Sequence, residues 1–496
     1  MKRQQVKVRD LIVLLPGITG SVLQKDGKDV WAPSYRPVLD LILSWGKSLE
    51  KLRLTDDDPE IDELGDGIVA TKLVPDAVML AGLVKIDGYT TLSKTIRGSL
   101  EITDGTGLRA DEQPYPPPNF FEFPYDWRRD NRFTALKLKQ LIDLRLPLWQ
   151  KYAGKNAKVI LVAHSMGGLV ARYYMEVMGG NEKCKALITL GTPYAGSLNA
   201  LDFLVNGLTK FSVNFKGAVT PLTSFTSIYQ LLPIYNAVNC DDGLKKVTDL
   251  VIDGVNEKMA RQALAFHYEI MDKVDKRVEA GGRAPCQILP VVGTHQPTLQ
   301  SADLYDGLLT LAETLPPGVD EQLWHGDGTV PSLSAAPHEM ADAIGKSLFP
   351  ESHGSLQRNI QLVKLICDQI EDSQIKRPSF RGGVAGARAR TALSLCVEDL
   401  YGAGAPIVIR ARVFDGDSEL TDKKKLNDVV GSVVGTIESA VGPGVSTTTP
   451  LLPTADGWQL VYPPLPQGVY RVKVAASKRG PLAPLPVHDL FEVAAV

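Results

Sequence analysis

The segment VILVAHSMGGLVARYYMEVM, residues 159–178, decides the fold of this chain. Residues 159–163 are all apolar, as in a parallel strand that is covered on both faces, and the residues after the two glycines are typical of a helix. Ser165 stands between them on a sharp strand-to-helix turn, which is a nucleophile elbow. Such a turn brings neighbouring backbone close to the serine, so the positions two before and two after it must be small. Ala163 and Gly167 meet that requirement, and Ser165 is therefore the candidate nucleophile.

Similar aliphatic runs recur in the chain, each followed by glycine or a polar turn. They are LIVLL at 11–15, ALITL at 186–190 and ILPVV at 288–292. Because amphipathic segments lie between the runs, the pattern predicts one parallel sheet with helices on its faces, an α/β fold of the α/β-hydrolase type. An apolar stripe at helical spacing predicts the last helix of this domain, and its residues are Leu356, Ile360, Val363, Cys367 and Ile370.

The composition changes after that stripe, which predicts a second domain. We expect an α/β-hydrolase catalytic domain over residues 1–375 and an exposed linker over 376–391, which is rich in Gly, Ala and Arg. Short strand-like runs separated by Gly, Pro and Asp turns then predict an all-β, immunoglobulin-like sandwich over 392–496. Residues 195–285 interrupt the strand pattern of the first domain, and we interpret them as a cap or lid over the sheet.

A nucleophilic serine needs a base, and the base needs a carboxylate that fixes its tautomer. In a hydrolase of this fold the chain order is serine, then Asp or Glu, then His. Asp327 stands between two glycines in HGDGTVP, where a turn can deliver its carboxylate, and His353 lies in a polar loop just before the predicted last helix. The triad predicted is therefore Ser165, Asp327 and His353, with His338 as the alternative base. His164, next to the nucleophile, is interpreted as structural or supporting.

Acyl transfer also needs donors for the developing oxyanion. The backbone N–H of Met166, which follows the nucleophile, is one predicted donor. The loop LPGITGS at 15–21 follows an early strand and is predicted to supply the second donor, the N–H of Ile18. A phosphate-binding loop is the alternative for this segment, but neither Walker spacing nor a final Gly-Lys-Ser/Thr is present.

The average composition bounds the function. The 496 residues include 54 Lys+Arg and 57 Asp+Glu, a formal charge of −3, and 44% are hydrophobic. This near balance predicts a globular protein that binds no nucleic acid. The five cysteines are far apart and suggest neither a disulfide framework nor a metal site, and no cofactor motif is evident. Without a signal-peptide core or a membrane-spanning stretch in the sequence, we expect a soluble, cytoplasmic protein.

With these residues in place, the chain resembles the lecithin:cholesterol acyltransferase family, which includes lysosomal phospholipase A2 and phospholipid:diacylglycerol acyltransferases. The matching motifs follow the family's order over residues 8–372. They are LIVLLPGITGSVL at 11–23 with Trp31 nearby, PYDWR at 124–128, AHSMGG at 163–168, LGTPYAGS at 190–197, SIYQLLP at 227–233, GDGTVP at 326–331 and His353. The resemblance implies that Ser165 attacks a lipid or other ester and that water or an acceptor alcohol resolves the acyl-enzyme. It also maps Ser165, Asp327 and His353 onto the family's triad, Ile18 and Met166 onto its oxyanion donors, and 195–285 onto its cap.

The chain departs from the family in two respects. Secreted members carry an N-terminal disulfide loop that engages membranes, whereas residues 31–100 contain no cysteine. The apolar segment 38–52 could contact a membrane surface, although packing beneath the cap is the favoured interpretation. The second departure is the β-rich tail, which lies outside the resemblance and could either dock a protein partner or cover the core.

Three functions stay open at this stage. The first is a serine acyl hydrolase of phospholipase or lipase type, with acyltransferase activity toward an alcohol. The second is an esterase or amidase for a non-lipid acyl substrate, because one fold serves many substrates. The third belongs to a different class, a catalytically idle hydrolase fold that only binds.

Overall fold

The structure is a computed structural model that describes most of the chain. The described residues are 5–32, 50–75, 77–80, 84–207, 209–210, 213–214, 220–282, 285–319, 325–340, 348–374, 391–416, 418–441, 444–480 and 483–494. The apolar segment 38–52 lies outside the described residues except for its end, where Leu52 is buried. Of the predicted linker 376–391, only Thr391 is described.

Six parallel strands form the central sheet of the α/β part. In chain order they are β1 Leu11–Leu15, β2 Phe120–Glu122, β3 Val159–His164, β4 Cys184–Leu190, β5 Gln287–Gly293 and β6 Leu348–Phe349. Across the sheet the order is β2-β1-β3-β4-β5-β6, and every neighbouring pair is parallel. Every residue of β1 and β3 is buried, because helices cover both faces of the sheet. The predicted α/β class is confirmed, and this strand order fits an α/β-hydrolase fold.

The strand order creates a crevice at the carboxyl edge of the sheet. From β1 the chain moves to β2 on one side, and it later returns to β3 on the other side of β1. Loops that leave β1 and β3 therefore diverge, and such a switch point is where open α/β sheets bind their ligands. The loop at 15–21 follows β1 and Ser165 follows β3, so both predicted parts of the site lie at this crevice.

The helices of the described residues are α1 Thr90–Ser99, α2 Asn131–Ala153, α3 Met166–Glu176, α4 Leu198–Asn206, α5 Thr226–Tyr229, α6 Glu257–Glu279, α7 Ile360–Gln374 and α8 Lys423–Val429. In the α/β part, α2 packs against α3 and α1 packs against α7. None of the helices in the described ranges combines the length and the hydrophobicity that crossing a membrane would require.

The predicted stripe of the last helix was partly wrong. Helix α7 begins at Ile360, which is 47% exposed, and Leu356 lies in the turn before it. The side chain of Asn359 sets this start, since its Oδ1 accepts from the backbone N–H groups of Gln361 and Leu362 at 3.0 and 3.3 Å. The buried face consequently starts later than predicted and consists of Leu362, Val363, Ile366, Cys367 and Ile370.

The region predicted as a cap contains helices and short hairpins. Besides α4, α5 and α6 it holds the short strands Thr209–Lys210, Val213–Asn214, Val238–Cys240 and Gly243–Lys245. Helix α6 packs against α3, where the rings of Tyr173 and Phe266 stack with centroids 5.2 Å apart. Its role as a lid stays a prediction.

Short strands outside the central sheet complete the α/β part. They are Val6–Lys7, Ser21–Lys25, Lys28–Trp31, Ile68–Leu73, Ala77–Leu80, Val84–Asp87, Leu100–Glu101, Ser301–Tyr305 and Leu308–Ala312. The five cysteines, all in described ranges, form no disulfide.

The C-terminal part consists of two sheets that are antiparallel apart from one parallel pair. Its strands are β7 Thr391–Val397, β8 Leu400–Gly402, β9 Ile407–Asp415, β10 Ser418–Glu419, β11 Val433–Ser439, β12 Ser446–Pro450, β13 Leu452–Thr454, β14 Gly457–Tyr462, β15 Gly468–Ala476 and β16 Val487–Ala494. One sheet has the order β7-β9-β14-β13, with β10 on β9, and the other β8-β16-β15-β11-β12, in which β8 and β16 are parallel. Both sheets contribute to one hydrophobic core, for example Ile409 from the first and Phe491 from the second. The immunoglobulin-like type stays a prediction.

Candidate active site

Ser165 stands on the turn between β3 and α3 with the backbone of a nucleophile elbow. Its φ of 53° and ψ of −127° lie outside the regions that residues with a Cβ normally adopt, so the turn is strained. Hydrogen bonds hold it: the Ser165 N–H donates to the Leu190 carbonyl at 2.9 Å, and the Thr192 hydroxyl donates to the Ser165 carbonyl at 2.9 Å. The elbow therefore fixes the serine hydroxyl at the crevice between β1 and β3.

The glycines after the serine are required by close approach of neighbouring chain. A Cβ on Gly167 would overlap the carbonyl oxygen of Pro16, in the loop that follows β1. A Cβ on Gly168 would overlap the hydroxyl oxygen of Thr192. The sequence argument required a small residue at 167, and the structure supplies the steric reason and extends the requirement to 168.

The three predicted triad residues lie in one hydrogen-bonded series. His353 Nδ1 is 2.8 Å from Asp327 Oδ2, and His353 Nε2 is 2.9 Å from Ser165 Oγ. Since an ionised carboxylate can only accept, Nδ1 carries the hydrogen and Nε2 accepts from the serine hydroxyl. The three side chains are 1–4% exposed. The alternative base, His338, pairs instead with Asp275 at 2.9 Å in a half-exposed position.

The turn that carries Asp327 orients its carboxylate. Oδ1 accepts from the backbone N–H groups of Thr329 and Val330 at 3.0 and 2.7 Å, which leaves Oδ2 to face His353. The Asp327 carbonyl also accepts from the His353 N–H at 2.8 Å. The carboxylate and the imidazole are thus connected through both side chain and backbone, and their relative orientation is fixed.

His164 joins the loop after β1 to the loop that carries His353. Its Nε2 lies 3.0 Å from the His353 carbonyl, an acceptor, so Nε2 must carry the hydrogen and Nδ1 must accept. The Tyr89 hydroxyl, 2.9 Å away, donates to that Nδ1 and accepts from the Gly17 N–H at 2.8 Å. One line of hydrogen bonds therefore runs from Gly17 through Tyr89 and His164 to His353.

The environment of His164 keeps it neutral. Burial, together with the smaller effect of the nearby charge on His353, lowers the pKa of His164 to about 3. A neutral ring has one donor and one acceptor, which is what its two partners need. His164 is thus a neutral ring that bonds to the segment of His353, and its supporting role in the site stays a prediction.

The two predicted oxyanion donors belong to segments that border Ser165. Met166 is the first residue of α3, where N–H groups have no partner within the helix and the helix dipole is positive. On the other side, a Cβ placed on Gly17 would lie 3.3 Å from Ser165 Oγ, and Ile18 is the next residue and is buried. The role of the Ile18 and Met166 N–H groups stays a prediction.

The Asp, Trp and Arg of the PYDWR motif make buried contacts away from Ser165. The guanidinium of Arg128 is fully buried and binds both carboxylate oxygens of Asp126 at 2.8 and 2.6 Å, Asp66 at 2.8 Å and the Leu52 carbonyl at 3.0 Å. Trp127 donates from Nε1 to the carbonyl of Ser21 at 3.0 Å. The interpretation of this motif as a buried Asp/Arg pair with a core tryptophan fits these contacts.

A cavity of about 190 Å³ is lined by residues of both the candidate site and the C-terminal part. Asp327 and His353 line it on one side, and Asp399 and Asp489 on the other. The C-terminal sheets are consequently neighbours of the candidate base.

Sequence reasoning missed three residues near the site. Tyr89 stands in no motif, so the sequence carried no signal for it. Glu351 lies two residues before His353, and that proximity was the one available hint. His488 is one of the seven histidines of the sequence, but its 137-residue separation from Glu351, its hydrogen-bond partner, left no local signal.

Comparison with known proteins supports the family resemblance. The family model for lecithin:cholesterol acyltransferase matches residues 107–272, which include the elbow and the PYDWR motif. The phospholipase A(1) LCAT3 of Arabidopsis thaliana is 24% identical over 443 residues, 76% of this chain and 94% of that protein. The resemblance predicted from the motifs is therefore confirmed.

Other similarities are more local or weaker. The human lysosomal phospholipase A and acyltransferase is 36% identical over 90 residues, 17% of this chain. The chain spans only about a fifth of the length of this relative, 20% of it. Among solved structures, the Tle4–Tli4 complex is matched with a TM-score of 0.47 and 16% identity over 75% of this chain and 100% of that chain.

Proposed function

We propose that the chain is a serine acyl hydrolase that acts on lipid esters through an acyl-enzyme. The observation that carries the proposal is the buried series of hydrogen bonds from Asp327 through His353 to Ser165, at the switch point of the sheet. A merely structural serine would not need a strained turn, an imidazole and an oriented carboxylate together. The strained geometry supports a functional role for the hydroxyl.

The first half of the reaction follows from these contacts. His353 Nε2 takes the proton of the Ser165 hydroxyl as Oγ attacks the ester carbonyl, and Asp327 stabilises the imidazolium that forms. The carbonyl oxygen becomes an oxyanion, which the N–H groups of Met166 and Ile18 would bind. His353 then gives its proton to the leaving alcohol, and the acyl group stays on Ser165 as an ester.

The second half repeats these steps with a new nucleophile. His353 takes a proton from water, or from an acceptor alcohol, which attacks the acyl-enzyme carbonyl. The tetrahedral intermediate collapses, Ser165 Oγ leaves and regains its proton from His353. Water gives a free acid and an alcohol gives a new ester, so acyltransferase activity needs only an acceptor that competes with water.

A lipid ester is the substrate class that the comparisons favour. The family model is named for an acyltransferase, and the Arabidopsis relative that aligns along most of this chain is named as a phospholipase A(1). We infer a lipid substrate from these relatives, and the non-lipid esterase or amidase is the outcome that a substrate panel would reveal instead.

A fluorophosphonate probe tests the covalent chemistry. We expect the wild-type chain to be labelled on Ser165 and the Ser165→Ala variant to be unlabelled, because the probe needs an activated serine. Phospholipid and neutral-lipid vesicles with and without an added alcohol, analysed by mass spectrometry, then separate free fatty acid from transferred acyl product.

Two results would contradict the proposal. A folded wild-type chain that takes no label points to an idle scaffold. A labelled chain that cleaves short p-nitrophenyl esters but no lipid of the panel points to a non-lipid esterase. Ser355→Ala is the matched control, since Ser355 is a buried serine in the same region that belongs to none of the proposed steps.

A further inference from the structure

The carboxylate of Glu351 is fully buried and lies two residues before His353. It accepts four hydrogen bonds, all from N–H groups. Two come from the α/β part: Ser352 N at 3.1 Å and Asn359 Nδ2 at 2.8 Å. Two come from the C-terminal part, His488 N at 2.7 Å and His488 Nδ1 at 2.8 Å. A carboxylate that accepts from four N–H groups is suited to the ionised form. Two of the four hydrogen bonds that compensate the burial of Glu351 come from His488 in β16.

The segment 351–353 is bound to β16 at a second point and to the site at two more. The Ser352 hydroxyl donates to the His488 carbonyl at 2.5 Å. The next residue, His353, donates its N–H to the Asp327 carbonyl and accepts at its own carbonyl from His164. One face of the segment is therefore held by the active site and the other by the C-terminal part.

The C-terminal part is also linked to the residue after His353, indirectly through Lys85 of the α/β part. Gly354 packs so closely on the Lys85 carbonyl that a Cβ would overlap it. The ammonium of Lys85 in turn lies 2.9 Å from Asp399 and 3.0 Å from Asp489, the neighbour of His488. Both sides of the turn that carries His353 thus depend on residues from β16 or from the turn before β8.

Such an arrangement matters because the base has little positional freedom. His353 Nε2 must stay within hydrogen-bond reach of Ser165 Oγ, and a misplacement of about 1 Å can cost roughly 100-fold in rate. If the His488 side chain were lost, the buried carboxylate of Glu351 would keep three of its four donors, and the segment 351–353 would move to replace the missing one.

We propose that Glu351 and His488 are positioning residues for His353, so that the C-terminal part belongs to the catalytic unit. This inference rests on the proposed function of the site. The contact acts on the geometry of the base rather than on substrate binding. It therefore predicts a loss of kcat per titrated site with little change in KM, whereas general destabilisation would lower the number of titrated sites and leave kcat per site unchanged.

The test uses the full chain and three variants. His488→Leu removes the side-chain donor to Glu351, while His488→Asn keeps an N–H donor near the position of Nδ1. His338→Leu is the matched control, because it removes a histidine–carboxylate contact, with Asp275, that does not touch the segment 351–353. The measurements are kcat and KM with a p-nitrophenyl ester, divided by the concentration of sites that fluorophosphonate titrates, together with Tm.

We expect His488→Leu to lower kcat per titrated site by roughly 100-fold with KM nearly unchanged. We expect His488→Asn to recover most of that loss, and His338→Leu to keep the wild-type kcat. Glu351→Gln is a second, independent variant. Its amide can accept hydrogen bonds at only one atom, so we expect this variant to lower kcat in the same manner.

Three results overturn the positioning role while wild-type labelling leaves the proposed function intact. They are a His488→Leu kcat no lower than that of the control, a His488→Asn variant as slow as His488→Leu, and a loss confined to the number of titrated sites. A wild-type chain without labelling overturns the proposed function, and with it this inference.

Discussion

The two sides of the candidate site are supported in different ways. The elbow that carries Ser165 is held by its immediate surroundings in the sheet, namely Leu190 at the end of β4, Thr192 just after β4, and the loop after β1. The turn that carries His353 is held by residues from distant parts of the chain, with β16 of the C-terminal part among them. The nucleophile is therefore a property of the α/β sheet, whereas the position of the base also depends on a second set of sheets.

This difference separates what a short motif can specify from what it cannot. A strand, a turn and a helix in one continuous segment define the elbow, because sterics within a few residues determine it. The loop that carries the base needs packing and hydrogen-bond partners, and any part of the chain can supply them. Variants at the elbow should consequently act through local packing, whereas variants at the turn of His353 should act through long-range polar contacts.

Removal of the base is expected to have the largest effect. His353→Ala leaves Ser165 without a proton acceptor, and kcat should fall by about 10⁶-fold, the scale seen when a base is removed from a serine hydrolase. The measurement is initial-rate ester hydrolysis with enzyme whose fold is checked by circular dichroism. Near-normal turnover in a folded sample would reject the assignment of His353, and His338→Ala in parallel tests the alternative base.

Overpacking of the elbow comes next. In Gly168→Ala the new Cβ would overlap Thr192 Oγ1, which is fixed by its bond to the Ser165 carbonyl, so unfolding free energy should fall by about 3 kcal/mol. Gly98→Ala is the control, because nothing lies within 4 Å of its Cβ position in α1 and the helix should gain roughly 1 kcal/mol. Urea unfolding compares the two. Equal shifts would mean that the elbow is not sterically limited.

The sequence predicted the parts of the site that depend on local pattern. The buried strands were predictable because they are aliphatic runs in the sequence. The chain order of serine, acid and base selected Asp327 and His353 among many candidates. The predicted stripe of the last helix started too early, at Leu356. The start of α7 is set by the side chain of Asn359, which caps its first turn, and apolar periodicity carries no signal for such a cap. Contacts of Tyr89 and His488 could not be predicted, since each pairs with a residue far away in sequence and neither stands in a motif.

Tyr89→Phe tests the line of hydrogen bonds that joins the two sides. Loss of the hydroxyl leaves the Gly17 N–H and His164 Nδ1 buried without this partner, which should cost about 2 kcal/mol of unfolding free energy. Activity should fall as well, because Gly17 lies against Ser165 and precedes Ile18. Thermal unfolding and ester hydrolysis provide the readouts, with the half-exposed Tyr152→Phe as control. Unchanged stability in Tyr89→Phe would show that the two sides are independent.

The smallest effect expected is the pH dependence of the contact between the two parts. Burial alone would lower the pKa of His488, but the carboxylate of Glu351, with help from Asp87 and against Lys473, raises it above its usual range. A folded-state pKa above the unfolded one means that the stabilisation is fully present below about pH 6.5 and is lost as pH rises through the folded value. The Tm difference between wild type and His488→Asn should therefore be larger at about pH 6 than at about pH 9. Gly98→Ala, which removes no titratable group, should differ from wild type by the same Tm at both values. A His488→Asn difference that is equally constant would mean that the charge on His488 contributes nothing, and that only its hydrogen bonds hold the turn of the base.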